Sequence, residues 1–184
     1  MSEHVESRYF ETVNKELIID ISLDNYDELF NKWDSSASYL KKDLDSELVD
    51  FLYHCFEEVK NKPLTIRISV PKKDDTKQIN LKKVIKNYFE YASNKEKIKL
   101  KQHISRTGLY LVLGLLFILF STVLRGIAGI NEIVKEVLLQ GIIIIGWVTL
   151  WQVGTGVLYE FGEMRSKINT YQRIANAKII FENK

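Results

Sequence analysis

The chain has 184 residues, of which 46% are apolar and 27% are charged, and its formal net charge is +2. This length suits one or two domains, and a single cysteine excludes a disulfide-stapled scaffold within the chain. The charges are segregated, because residues 1–59 carry 5 basic and 15 acidic side chains whereas residues 60–107 carry 14 and 4. Two uncharged apolar runs follow residue 107, and this pattern argues against a purely soluble protein.

The N-terminal part of the sequence predicts a small α/β domain. Residues 16–23 are apolar and β-branched, and residues 64–70 alternate apolar with polar side chains, which is typical of strands. Apolar residues at helical spacing predict helices at 25–33, at 43–60 and from Ile79 onward. A strand, helices and a second strand in this order form a parallel crossover unit. We therefore expect residues 1–107 to be a cytosolic α/β domain that ends in a juxtamembrane helix.

A cluster of basic residues precedes the first apolar run. Its members are Lys95, Lys97, Lys99, Lys101 and Arg106. Each basic side chain near anionic headgroups contributes about 1 kcal/mol, so this cluster is predicted to contact the membrane surface. A regulatory contact with lipid or nucleic acid is the alternative. Few aromatic residues lie between the lysines, which argues against single-stranded nucleic acid, and we expect no nucleic-acid partner.

The two apolar runs predict transmembrane helices at residues 108–124 and 137–158. The first run spans roughly 25 Å at about 1.5 Å per residue, and the second is long enough to cross with some tilt. A buried core helix is the alternative, but the rest of the chain is too small to cover two such helices. Residues 125–136 then form an external loop, and the lipid bilayer is an expected partner.

The distribution of basic residues predicts the orientation in the membrane. The 20 residues before the first span hold five Lys or Arg, the loop holds two, and the 20 residues after the second span hold four. Both termini are therefore expected in the cytoplasm of a two-pass inner-membrane protein. Residues 1–15 contain no apolar segment, so we expect no signal peptide. The lone Cys55 agrees with a reducing compartment.

The second predicted span carries a stripe of small and polar residues. Thr149, Gln152 and Gly156 lie at spacings of three and four, so they share one helix face that suits packing against another helix. Trp151 lies near the inner boundary, where an indole acts as an interfacial anchor. Two helices make a small bundle, so oligomerisation would add stability in the membrane, and a homo-oligomer is expected.

The segment after the second span predicts a return to the N-terminal domain. Within residues 159–184, the stretch 163–176 is helical in pattern and 177–181 is a short apolar strand. An apolar strand outside the membrane needs a partner, and the sheet formed by the two N-terminal strands can supply one. The predicted fold class is thus an α/β domain of two N-terminal strands and a C-terminal strand with helices, joined to an α-helical transmembrane hairpin.

Three stretches carry a resemblance to a known group of proteins. They are LFNKWDSSASYLKKDLD at 29–45, PLTIRISVP at 63–71 and GIIIIGWVTLW at 141–151. The chain resembles an uncharacterised family of small bacterial membrane proteins with a cytosolic N-terminal domain and a two-helix transmembrane hairpin. The resemblance implies an Arg-Pro pair and a carboxylate soon after the two tryptophans. Here those positions are Gln152, Val153 and Thr155, so an intramembrane ion pair is not expected.

The sequence predicts no catalytic and no metal-binding residues. A calcium-loop spacing begins at Asp34, but Tyr39 stands where the sharp turn needs glycine and Asp45 where a bidentate glutamate belongs. His54 and Cys55 are adjacent in a predicted helix and point about 100° apart, which does not suit one metal ion. No nucleophile motif occurs, and the first 107 residues contain no glycine for a phosphate loop. We therefore expect neither an enzyme nor a cofactor.

The function that these patterns favour is a membrane-anchored cytosolic interaction or scaffold module that self-associates. The segregated acidic and basic halves of the domain supply complementary faces, within one copy, between copies, or toward an unidentified cytosolic protein partner. The alternative is a membrane-perturbing effector, antiphage or toxin-like, whose cytosolic domain senses a signal and whose hairpins oligomerise.

Overall fold

The computed structural model describes residues 9–11, 16–34, 42–59, 62–71, 74–126 and 131–184. These residues divide into two compact units. The first, which we call the α/β unit, lies within residues 1–95 and 167–184. The second, the apolar helical unit, lies within residues 96–166. The sequence-based boundaries at residues 107 and 159 mark the limits of the expected membrane spans, and they stay predictions.

The α/β unit contains a sheet of four strands in the order β1, β2, β3, β4. Strand β1 (Phe10–Glu11) is antiparallel to β2 (Leu17–Ser22), whereas β2, β3 (Leu64–Val70) and β4 (Lys178–Asn183) are mutually parallel. The predicted pairing of the C-terminal strand with the N-terminal sheet is therefore confirmed, with Ile179 beside Ile66.

The helices follow the strands in chain order. Two short 3₁₀ helices, Tyr26–Leu29 and Lys32–Asp34, follow β2 where one helix at 25–33 was predicted. The α-helices are α1 (Ser46–Glu58), α2 (Asp75–Arg125), α3 (Glu132–Thr155) and α4 (Phe161–Ala175), with a π-helix at Gly156–Glu160. Asp45 caps α1, because its carboxylate accepts hydrogen bonds from the backbone N–H groups of Glu47 and Leu48.

One face of the sheet and the helices that pack on it form the core of the α/β unit. Alternate strand residues supply its sheet side, including Ile19, Ile66 and Ile68. The helices supply Leu52, Phe56, Leu81, Phe89 and Ile174, all at most 2% exposed. Cys55 also lies in this core, whereas the adjacent His54 is on the surface. The alternation of apolar and polar residues in β3 therefore gives the sheet one buried face and one more exposed face.

The other face of the sheet is polar. Arg67 on β3 donates to the Asp20 carboxylate on β2 from both Nε and Nη2, the Nη2 distance being 2.9 Å, and its Nη1 lies 3.6 Å from Glu182 on β4. The hydrogen bond to Asp20 raises the pKa of Arg67 above its ordinary value. Opposite charges on neighbouring strands therefore link β2, β3 and β4 across this face.

The apolar helical unit contains two antiparallel helical segments that approach closely at glycines. A Cβ built on Gly146 of α3 would lie 3.3 Å from the backbone oxygen of Gly114 on α2, and one built on Gly114 would lie 3.2 Å from the backbone oxygen of Gly146. Each glycine thus faces the backbone of the other. The predicted architecture, an α/β part with two long apolar helices, holds at this coarse level.

The calcium-loop pattern that begins at Asp34 falls largely on residues 35–41, which lie outside the described residues.

Candidate functional site

Four residues of the apolar helical unit form a polar cluster, which we call the His103 cluster. His103 and Thr107 lie one turn apart on α2, and Gly156 and Glu160 bound the π-helix that follows α3. The His103 Nδ1 atom lies 3.2 Å from Glu160 Oε2, and its Nε2 atom lies 3.4 Å from Thr107 Oγ1. The imidazole therefore bridges a carboxylate on one helix and a hydroxyl on its own helix.

The π-helix places these groups. Over Gly156–Glu160 the hydrogen bonds widen, and the Phe161 N–H group donates to the Gly156 carbonyl five residues back. Gly156 is buried, and a Cβ built on it would lie 3.2 Å from both His103 Nε2 and Thr107 Oγ1. The absence of a side chain at Gly156 thus leaves room for the imidazole and the hydroxyl beside the backbone.

An apolar groove of about 340 Å³ adjoins the cluster. Besides the cluster residues His103, Thr107 and Gly156, its lining includes Ile104, Gly108, Leu111, Val153, Val157 and Phe161. His103 is 17% exposed, so the imidazole stands at the margin between polar and apolar surroundings. The groove is therefore an apolar surface depression with the His103 imidazole at one side.

The geometry of the His103 cluster suits a structural contact better than acyl-transfer chemistry. A carboxylate, an imidazole and a hydroxyl in series resemble a nucleophile with its base. Such a site also needs free N–H donors for the developing oxyanion. Thr107 and Gly156 lie inside helices, and the Gly156 N–H group is committed to the carbonyls of Gln152 and Val153. The cluster is thus fitted to hold two helices together through polar groups.

The predicted membrane-surface residues lie on α2, N-terminal to the most apolar part of that helix. Lys95, Lys97, Lys99, Lys101 and Arg106 are all exposed, and Lys99 Nζ lies 2.7 Å from Glu96 Oε1. At 100° per residue, Lys99 and Arg106 share one side of the helix while Lys97 and Lys101 share the opposite side. The cations therefore lie on two opposite sides of the helix, and their contact with a membrane surface stays a prediction.

The predicted packing stripe covers the end of α3 and the start of the π-helix. Within one chain, only part of this stripe contacts the neighbouring helix. Gly156 faces α2 through His103 and Thr107, whereas Gln152 is exposed. The Thr149 hydroxyl donates to the Ile145 carbonyl of its own helix at 2.7 Å. The Trp151 side chain is 74% exposed, on the surface of the helix. The proposed roles of Gln152 in association and of Trp151 as an anchor stay predictions.

Within the described residues, no three His, Cys, Asp or Glu side chains come close enough to hold a metal ion. The His54 Nδ1 atom lies 4.0 Å from Glu57 Oε2, and the His54 ring meets the Tyr53 ring edge-on with centroids 5.8 Å apart.

The pairing of His103 with Glu160 was not predicted from the sequence. His103 lies among the lysines that precede the first apolar run, and Glu160 lies just beyond the second apolar run. Their contact depends on the register of two antiparallel helices and on the π-helix, and neither leaves a local sequence pattern.

No protein family, curated protein or solved structure matches this chain. The resemblance to two-helix membrane proteins therefore stays a prediction.

Proposed function

We propose that this chain is a two-pass membrane protein whose α/β unit is a cytosolic interaction module that self-associates. The observation that carries the proposal is the exposure of the two apolar helices. Their most apolar 18-residue windows have mean hydropathies of 2.3 and 1.8, and only 11% of each window is buried by protein. A core helix of a soluble protein would be mostly buried. The exposed apolar surfaces of these helices therefore favour contact with lipid.

The charge distribution supports an orientation with both termini in the cytoplasm. Five basic residues precede the first apolar span and four follow the second, against two between them. The membrane is then the inner, or cell, membrane. With this orientation the cations around α2 and the His103 cluster lie at the cytoplasmic boundary of the bilayer, where an imidazole and a carboxylate keep access to water.

The hydroxyl groups of the apolar helical unit favour an anchor over a pore. Ser121 and Thr122 donate to the Ile118 carbonyl at 2.7 and 3.1 Å, and Thr155 donates to the Gln152 carbonyl at 3.1 Å. A hydroxyl that bonds to its own helix needs neither water nor a lumen. The alternative proposal, a membrane-perturbing effector whose helices assemble into a pore, needs a continuous wet stripe that these satisfied hydroxyls do not supply.

Topology labelling tests the membrane proposal. In a Cys55→Ala background, single cysteines at Ser46, Gly129 and Asn176 are reacted with a membrane-impermeant maleimide in intact cells and after lysis. We expect labelling of Gly129→Cys in intact cells, and of Ser46→Cys and Asn176→Cys only after lysis. Labelling of Ser46→Cys or Asn176→Cys in intact cells, or recovery of the protein in the soluble fraction, would overturn the proposal.

A leakage assay separates the anchor from the pore. The purified chain is reconstituted into vesicles that contain a self-quenched dye. An anchor leaves the dye enclosed at protein densities where the chain self-associates, whereas an effector of the alternative kind releases it. Release that increases with protein density would favour the alternative.

A further inference from the structure

Strand β4 ends the sheet, and its outer side is unpaired among the described strands. The backbone N–H of Lys184 donates to the Val70 carbonyl at 3.0 Å, which places even-numbered residues of β4 toward β3. Main-chain groups alternate in direction along a strand. The N–H and C=O groups of Ile179, Phe181 and Asn183 therefore point outward, away from the sheet.

An antiparallel second copy of β4 can pair with this edge only in certain registers. Outward-facing odd residues must oppose outward-facing odd residues, so even residues oppose even residues. A register centred on Ile180 places Ile180 opposite its own counterpart, Ile179 opposite Phe181, and Lys178 opposite Glu182. Apolar residues then face apolar residues, and each cation faces an anion.

The neighbouring registers lack this complementarity. A register centred on Phe181 places Lys178 opposite Lys184 and Ile180 opposite Glu182. A register centred on Ile179 places Lys178 opposite Ile180 and Glu182 opposite Asn176. Like charges directly opposite are unfavourable, and neither arrangement covers Ile180, which is half-buried in one chain.

We propose that β4 is the self-association edge of the α/β unit, with a second copy of this chain paired antiparallel about Ile180. The inference rests on the proposed self-association and assigns the surface and register that perform it. The sheet would then continue through both copies, and Lys178 of one copy would bind Glu182 of the second. In the described part of one chain, Lys178 Nζ lies 4.0 Å from Glu16 Oε2, and Arg67 Nη1 lies 3.6 Å from Glu182 Oε2.

The short strand implies a weak dimer in dilute solution. The six residues of β4 form an edge well below a standard protein interface. Confinement to a membrane raises the effective concentration of the two edges. Association should therefore be tested with the full chain in membranes.

Cysteine cross-linking tests the register directly. In a Cys55→Ala background, Ile180→Cys should form a disulfide-linked dimer in membranes under mild oxidation, because opposite residues of this pair type have Cβ atoms about 4.5–5.5 Å apart. Lys178→Cys alone and Glu182→Cys alone should yield several-fold less dimer, since neither faces its own counterpart. Co-expression of those two variants should restore a cross-link between them.

A charge reversal tests the ion pair. Adding Glu182→Lys to the Ile180→Cys chain places like charges opposite at both ends of the pairing, so the dimer yield should fall several-fold. Glu163→Lys, at an exposed position on α4, is the matched control and should leave the yield unchanged. Unfolding curves of both variants separate a lost interface from a lost fold.

The outcomes distinguish this inference from the proposed function. Equal dimer yields at Ile180→Cys and Lys178→Cys would overturn the register. If subunit exchange between fluorescently labelled copies still reports self-association, only the β4 proposal fails; if it reports monomers, both fail. A cross-link from Ile180→Cys to a different protein would replace the second copy with another partner and also overturn the proposal.

Discussion

The Arg173 side chain joins the end of α1 to α4. Its guanidinium donates to the backbone oxygens of Phe56 at 2.7 Å and Lys62 at 3.1 Å, and also to that of Val59. The last carbonyls of a helix lack partners within the helix, so one side chain from a distant segment satisfies the end of α1. Burial lowers the pKa of Arg173, but a guanidinium stays protonated at neutral pH.

Replacement of Arg173 should destabilise the α/β unit. Arg173→Met leaves the carbonyls at the end of α1 without their charged donor, and we expect a loss of about 2–4 kcal/mol in the free energy of unfolding. Denaturant unfolding of the detergent-solubilised chain, followed by circular dichroism, measures the loss. Arg165→Met, on the exposed side of the same helix, is the control. An equal loss of unfolding free energy in both variants would contradict a specific role for the Arg173 hydrogen bonds.

The Asp24–Lys184 contact predicts a pH effect of known sign. Lys184 donates to the Asp24 carboxylate at 2.7 Å, and this bond lowers the pKa of Asp24 below 3.8. The folded-state pKa lies below the unfolded one, so the contribution is full above the ordinary pKa and is lost as pH falls through the lowered value. Lys184→Met should therefore lower the melting temperature slightly at neutral pH and not near pH ~2, a comparison made by thermal scans. A difference that persists unchanged at low pH would contradict this assignment.

At the scale of elements, the regular strands and helices follow from local patterns. The alternation in residues 64–70 predicts β3 with both of its bounds, and the apolar run at 16–23 predicts β2 to within a residue at each end. Strand β1 escaped prediction, because a two-residue strand exists only through its pairing with β2. The expected start of α2 at Ile79 is four residues late, since Asp75 lies before the first apolar turn.

Contacts between elements are not encoded in such local patterns. Gly114 and Gly146 meet backbone to backbone, although no GxxxG spacing occurs in either helix. Neither glycine has another glycine one turn away in its own helix, and the register of the two helices makes it a contact point. The contact between His103 and Glu160 likewise depends on the register of the two helices.

The glycine contact predicts a sharp difference between two substitutions in α3. Gly146→Leu should push α3 from α2, because its Cβ would lie 3.0 Å from Ile118 Cγ1 and 3.3 Å from the Gly114 oxygen. Gly141→Leu is the control, since nothing lies within 4 Å of its Cβ. Hydrogen exchange of residues 108–124 in micelles should accelerate in the first variant only. Equal exchange in both would remove the contact.

At the scale of the whole molecule, the α/β unit is closed by a segment that follows both apolar helices in sequence. Strand β3 lies between β2 and β4, so half of its backbone hydrogen bonds form only when residues 178–183 join the sheet. Complete folding of the α/β unit therefore requires the segment that follows the apolar helices in sequence. The sequence predicted this closure from an apolar strand that needed a partner, but not the β4 edge that it creates.

Deletion of residues 177–184 should destabilise the α/β unit, because it exposes one edge of β3 and removes Ile179 and Phe181 from the margin of the core. The loss should be an appreciable fraction of the ~5–15 kcal/mol typical of a domain. Proteolysis of the full chain in micelles, with cleavage within residues 16–70 as the readout, measures it. Two point variants localise the effect: Ile179→Ser acts on the covered face and should accelerate cleavage, whereas Ile180→Ser acts on the polar face and should do so much less. Identical cleavage of the truncated and intact chains would mean that β4 contributes nothing to closure, and the α/β unit would then depend on β2, β3 and their helices alone.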